Sequence, residues 1–390
     1  MIIPRLAIRN LLGAGLKTWL NVVVLSFSFV VIIWLQGLYK GMGDQARVAQ
    51  TDAEFGGGQY WQEKYDPFDP LTIQDAHAVI PESLQTQIDN GQATPILISQ
   101  ATIYPEGRLY TILMKGIDPA QSIVNLPTQF LDQEAEELPA LIGTRMAKNT
   151  GLEIGDTVTV RWRDAQGTFD ARDVKIVQIM KTSVPTVDQA QIWVPLDKLQ
   201  SLTRMENEAS LVILAQGAEE FPQASGWNHK DMDFLLKDID LMVKSKQVGG
   251  SIVYIILLCL ALLAIFNTQV LSIFRRRKEM GTLMSMGMTR SKIIQLFTLE
   301  GALHSVLAAV VAAIYGIPLL LYSAKKGWAM PEAVDDFGMA LGEALFPVYG
   351  TGLVIGTTIL ILLATTIVSF LPTRKIAKLK PTDALRGKMT

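Results

Sequence analysis

The 390-residue chain has one cysteine, Cys259, so no disulfide forms within it, and thiols leave its redox compartment open. Histidine is nearly as scarce. His77, His229 and His304 lie far apart in the chain and form no His-Glu-x-x-His pattern, so each is read as structural or solvated and no metal ligand is assigned. No Gly-x-x-x-x-Gly-Lys-Ser/Thr phosphate loop occurs, so nucleotide hydrolysis by these residues alone is not expected. No catalytic or cofactor-binding residue is assigned, and nucleic acid is not expected as a partner. Repeats at solenoid spacing are absent, and only Gly56-Gly57-Gly58 is of low complexity.

Apolar residues, by contrast, are plentiful, at 49%. Four runs, 19–38, 252–274, 293–322 and 348–371, reach the roughly 20 residues that a helix needs to cross a bilayer. Only the third contains an acid–base ionisable pair, Glu300 and His304. The first run is read as a retained helix, because its apolar core is too long for a signal peptide and no small-residue cleavage site follows.

Acidic residues are almost missing from three flanks, 1–18, 275–292 and 372–390, where only Glu279 and Asp383 stand among 15 Lys and Arg. Positive flanks stay on the cytoplasmic side, so both termini and 275–292 are expected there. Residues 39–251 and the loop 323–347 then lie outside. The 39–251 segment holds 18 Lys and Arg against 30 Asp and Glu, which gives an acidic outer domain and a basic inner face.

The expected fold is therefore a membrane protein with four transmembrane α-helices and a large extracytoplasmic α+β domain between helices 1 and 2. Strands are read at 94–104, 108–116, 157–162, 174–180, 191–194 and 210–215, with a turn at Pro105-Glu106-Gly107. Short helices are read at 83–90 and 145–150. A helical pattern from Asp231 to Val248 runs into the second span and makes a stalk at about 231–251. Residues 1–18 form an amphipathic segment at the inner surface, with Arg5 and Arg9 on one face.

Between the second and third spans, Arg275-Arg-Arg-Lys-Glu-Met-Gly-Thr-Leu-Met-Ser-Met-Gly287 is basic and amphipathic, and its position tethers it to the membrane surface. A topology signal with headgroup binding accounts for Arg275 to Lys278. It leaves Glu279, Gly281 and the methionines unexplained. Methionine suits a surface that packs adaptively against another protein.

These features together resemble the permease subunits of ABC transporters in the macrolide-exporter, lipoprotein-releasing and FtsX-like cell-division superfamily. The resemblance rests on Asn267, Arg275, Arg276, Arg277, Glu279, Gly281 and Gly287. It rests also on Leu6-Ala-Ile-Arg-Asn10, and on Pro372 closing the last span before Pro381-Thr-Asp-Ala-Leu-Arg386. Lys115-Gly-Ile-Asp-Pro119 and Ile142-Gly143, with Gly151-Leu-Glu-Ile-Gly-Asp156, resemble the lipoprotein-releasing permeases more than the macrolide exporter.

The resemblance implies a non-catalytic permease half in a bacterial cytoplasmic membrane, forming a homo- or heterodimer with a second half. It implies two copies of a separate ATPase, which carry ATP and magnesium, and a lipoprotein, lipid-linked, peptide or drug cargo or a periplasmic partner. A regulatory relay that activates an extracellular hydrolase, or a plain membrane scaffold, is the alternative. In this reading the segment 275–292 is the coupling helix, with Met280 and Met284 filling an ATPase pocket, Glu279 pairing there, and Gly281 allowing close approach. Arg276 faces lipid headgroups. Glu300 is expected in an ion pair with a nearby Arg, or else in a proton-coupled step, while Gly301, Gly316 and Pro318 serve packing or a hinge.

Overall fold

The computed structural model describes residues 2–13, 15–133, 137–218, 221–329, 342 and 344–374. Within them the α-helices are α1 (Ile2–Gly13), α2 (Leu16–Gln50), α3 (Glu82–Asp89), α4 (Thr144–Thr150), α5 (Pro185–Asp188), α6 (Leu196–Thr203), α7 (Met232–Leu235), α8 (Lys237–Arg275), α9 (Arg277–Ser285), α10 (Arg290–Lys326) and α11 (Thr351–Thr373). The chain divides into two compact units, one built from Met1–Met42, Met242–Ala329 and Leu345–Thr390, the other mainly from Gly43–Leu241.

In the first unit α2, α8, α10 and α11 are long and apolar enough to cross a membrane. Helix α2 turns Val22, Leu25, Phe29 and Ile32 inward, three or four residues apart, against Ala261 and Ile265 of α8, Ala308 and Ala312 of α10, and Ile361 of α11. A Cβ on Gly301 would stand 2.1 Å from Ser369 Oγ, and one on Gly316 would stand 2.5 Å from Val30 Cγ2. Both glycines therefore serve close helix packing, the usual work of small residues between spans.

The second unit is a nine-stranded sheet. In space its strands run Trp227–Lys230, Gln59–Gln62, Leu211–Leu214, Ala93–Ile103, Tyr110–Ile117, Gln191–Pro195, Leu138–Gly143, Phe169–Met180 and Thr157–Arg163. The last also pairs with Ala93–Ile103, in the register Ala101 to Trp162 and Ile103 to Val160, which closes six strands on themselves. Closure removes two exposed edges. Alternation along Ala93–Ile103 then sorts the side chains. Leu97 and Ala101 point into a core with Met114, Ile142, Val160 and Trp162, whereas Ile96 and Ile98 pack on the other face with Leu141, Trp193 and Ile213.

The expected strands and short helices are found within a few residues, and the strand read at 174–180 is the end of the longer Phe169–Met180. The turn after Ile103 is one 3-10 turn, with Glu106 at φ +48°. Strands Gln59–Gln62, Leu138–Gly143 and Trp227–Lys230 are additions to the sequence reading. The helical pattern before the second span resolves into α7, capped by Asp231 accepting from Phe234 N at 2.8 Å, and then α8, unbroken over 39 residues.

Candidate functional site

Helix α8 stops at Arg275 because Arg276 leaves helical geometry, at φ −97° and ψ 18°. The nine-residue α9 follows. It ends at Met286, and Gly287 then takes φ +92°, a left-handed conformation that glycine adopts without steric cost. Thr289 is extended and precedes α10. A short helix is thus set between two breaks.

Apolar residues hold α9 in place. Met280 is wholly buried in a cluster with Ile273 of α8 and Ile293 and Phe297 of α10, and Leu283, Met284 and Met288 pack around it. Spacing of three and four residues puts 280, 283 and 284 on one face. The opposite face, Lys278, Thr282, Ser285 and Met286, is exposed, with Met286 at 71%.

Charge ties the junction further. Arg276 Nη1 donates to Glu300 Oε1 and Oε2, at 3.1 and 2.9 Å, and its Nε donates to Glu279 Oε2 at 2.7 Å. The guanidinium lies 4.9 Å from the centre of the Phe297 ring. Asn10 of α1 donates Nδ2 to Glu300 Oε1 at 2.6 Å. His304 Nδ1 donates to the main-chain oxygen of Glu300 at 2.8 Å. Four elements therefore meet at one carboxylate: α1, the Arg276 junction, α9 through Glu279, and α10. Glu300 is 8% exposed at its side chain, so each partner offsets the cost of holding it out of water.

This placement corrects part of the sequence reading. Arg276 does not face headgroups; it turns inward onto Glu300. Met280 does not project toward a partner, because it fills the chain's own interior. Glu279, 62% exposed, already has Arg276 as its partner. Gly281 is buried, Met284 half-buried, and Arg275 and Gly287 exposed. Arg277 opens α9. Asn267 is exposed on α8, away from this cluster. Residues 375–390, with Pro381 to Arg386, lie outside the described residues, as does most of the loop 323–347. Sequence reasoning passed over Thr282 and Ser285, and took Lys278 only as part of the basic run and Met286 only as one of the methionines, without grouping the four as a face. Their i, i+4 and i+7 spacing, read as the complement of the Met280 stripe, was the available signal. Among the described residues no group of His, Cys, Asp and Glu has the makings of a metal site.

Comparison with known proteins gives the site its context. Residues 251–381 match the FtsX-like permease C-terminal domain. The chain is 22% identical over 274 residues to an uncharacterized ABC transporter permease of Methanocaldococcus jannaschii, covering 65% of this chain and 64% of that one. It is 22% identical over 417 residues to the macrolide export ATP-binding/permease protein MacB of Neisseria gonorrhoeae, covering 95% of this chain and 58% of MacB. It therefore spans about three fifths of the length of these relatives. Among solved structures, the extracellular domain of the transporter YknZ from Gram-positive bacteria covers 42% of this chain at 14% identity, with a TM-score of 0.25. The FtsX-like match covers α9, Arg276 and Glu300 together, and with the similarity to MacB and to the ABC transporter permease it supports the resemblance to the MacB/FtsX superfamily read from the sequence.

Proposed function

We propose that the chain is a transport permease half that pairs with a second half in a bacterial cytoplasmic membrane, with 275–292 on the inner side and 43–241 outside. A separate ATPase docks on α9 and supplies the ATP and magnesium chemistry. The observation that carries the reading is the position of α9, a short helix between two backbone breaks with one face locked into the chain and the other bare. Lys278, Thr282, Ser285 and Met286 form the docking face in this reading.

Movement of the ATPase passes to the membrane helices through Met280 and the Arg276–Glu300 pair, since the breaks at Arg276 and Gly287 leave little backbone stiffness between α9 and its neighbours. The 39-residue α8 then carries motion along a single helix. The work falls on cargo outside the membrane core: a lipoprotein, a lipid-linked molecule, a peptide or a drug. Lys115-Gly-Ile-Asp-Pro119 favours a lipoprotein among these.

The test is affinity purification from native membranes in mild detergent. An ATPase should co-purify in equal number with this chain, and its ATP turnover should respond to the chain's presence, while the chain stripped of it hydrolyses none. Recovery of the chain with no ATPase, or hydrolysis abolished only by changes in this chain, would overturn the reading.

A further inference from the structure

A groove of about 500 Å³ lies between α1, α10 and α11, open at the surface of the bundle. Pro4 of α1 borders it, with Ile294, Leu299 and Ala302 of α10 and Thr366 and Phe370 of α11. From Ile294 to Ala302 it follows α10 for eight residues, about 12 Å of helix axis. Its walls are mostly apolar.

Two cations continue the helix faces that line it. On α10, Lys292, Gln295, Leu299 and Ala302 recur at spacings of three and four, so Lys292 shares the face whose other three members line the groove. On α11, Thr366 and Phe370 are followed at the same spacing of four by Arg374, whose guanidinium lies 5.8 Å from the centre of the Phe370 ring. Both cations are exposed. Opposing charge is scarce, because α1, α10 and α11 contain one carboxylate between them, Glu300, and it is buried and held by Arg276 and Asn10. The groove is therefore apolar along its length and cationic at one end.

That arrangement is complementary to an amphiphile with an apolar chain and an anionic head. We propose that the groove binds one anionic phospholipid, with an acyl chain along Ile294 to Ala302 and the phosphate meeting Lys292 and Arg374. Surrounding lipid tails are as apolar as the groove, so the chain gains little by entering it and selection falls on the head. A guanidinium fork matches phosphate oxygens, and the ammonium adds a point charge. From the reading above the site takes only that the basic flanks are inside, which places the lipid in the inner leaflet. Occupancy also braces α1. Pro4 borders the groove, and six residues on Asn10 donates to Glu300 Oε1 at 2.6 Å, so a lipid held against Pro4 steadies the helix that meets the partner of Arg276.

The experiment takes the full chain in nanodiscs of phosphatidylcholine with or without phosphatidylglycerol, and reads its melting temperature and, after release, its retained lipid by native mass spectrometry. The chain should keep one phosphatidylglycerol in preference to phosphatidylcholine. Lys292→Gln and Arg374→Gln should each lower that retention about fivefold, whereas Arg275→Gln, a basic residue of α8 outside the groove, should leave it unchanged. Ala302→Trp should fill the groove and lose the lipid with both cations in place. Phosphatidylglycerol should raise the melting temperature of the parent and not that of the double variant, whose two changes are at exposed positions that folding tolerates. Equal retention of the two lipids, or an equal loss with Arg275→Gln, would overturn the site, and a melting temperature indifferent to phosphatidylglycerol would overturn the bracing of α1. Neither result depends on an ATPase, so failure here leaves the proposed function standing.

Discussion

Arg276 Nη1 lies 2.9 Å from Glu300 Oε2, and this one pair joins the residue at which α8 breaks to the third turn of α10. The arginine is 23% and the carboxylate 8% exposed. Removing either partner leaves the other poorly compensated, which costs about 3–5 kcal/mol for a buried pair and less where water reaches the arginine. Arg276→Ala and Glu300→Ala should each lower the melting temperature of the purified chain, and the double variant should lose less than the two losses added together. Arg275→Ala, on an exposed side chain, should stay within about 0.5 kcal/mol of the parent. Additive losses in a double-mutant cycle would deny the coupling.

Met280 behaves in this structure as core. Met280→Ala should cost about 2–5 kcal/mol of stability through the cavity left among Ile273, Ile293 and Phe297. Met286→Ala, on the exposed face, should leave stability almost unchanged. Thermal unfolding in detergent separates the two, and equal melting temperatures would move Met280 out of the interior.

The orientation has its own check. With Cys259 replaced by Ala, an impermeant thiol reagent applied from outside should label a cysteine at Gln166 and not one at Met286. Both positions are exposed in their own units, so accessibility does not confuse the reading. Labelling of Gln166→Cys from the cytosolic side alone would reverse the topology.

Lys115 makes a prediction about pH. Its side chain is buried, with Nζ 5.0 Å from the Trp193 ring centre, and burial pushes the ammonium below its usual range, with Glu54 opposing in part. Between the folded value and about 10.4 the unfolded chain holds the extra proton, so this residue's contribution to stability rises with pH across that window. Lys115→Met should therefore be the more stable protein at pH 7, by about 1 kcal/mol or more, and its advantage should shrink toward pH 10. A gap that widens with pH would contradict the buried cation.

The four spans were legible because a bilayer demands length and apolarity that few other structures need, and all four emerge as α2, α8, α10 and α11. Long regular strands such as Tyr110–Ile117 announced themselves by β-branched residues. Trp227–Lys230 did not, because Trp-Asn-His-Lys has no strand pattern and is held by pairing with Gln59–Gln62. Closure of Ala93–Ile103 onto Thr157–Arg163 joins strands about 60 residues apart, which no local signal records. At the candidate site the breaks around α9 were foreshadowed by the arginine run and Gly287. The direction of each side chain was not. Met280 was read as adaptive surface because of its chemistry, whereas the three- and four-residue spacing to Leu283 and Met284 gives that face to the interior. Arg276 was read as headgroup-facing because its partner Glu300 lies 24 residues onward in what the sequence marks as another helix.

The bare face of α9 is decided by co-purification in nanodiscs. Placing a charge on that face with Met286→Asp should release the ATPase or abolish its stimulated turnover, while the permease keeps its melting temperature and its membrane insertion. An ATPase bound in undiminished amount, at undiminished turnover, to Met286→Asp would show that α9 is not the docking helix.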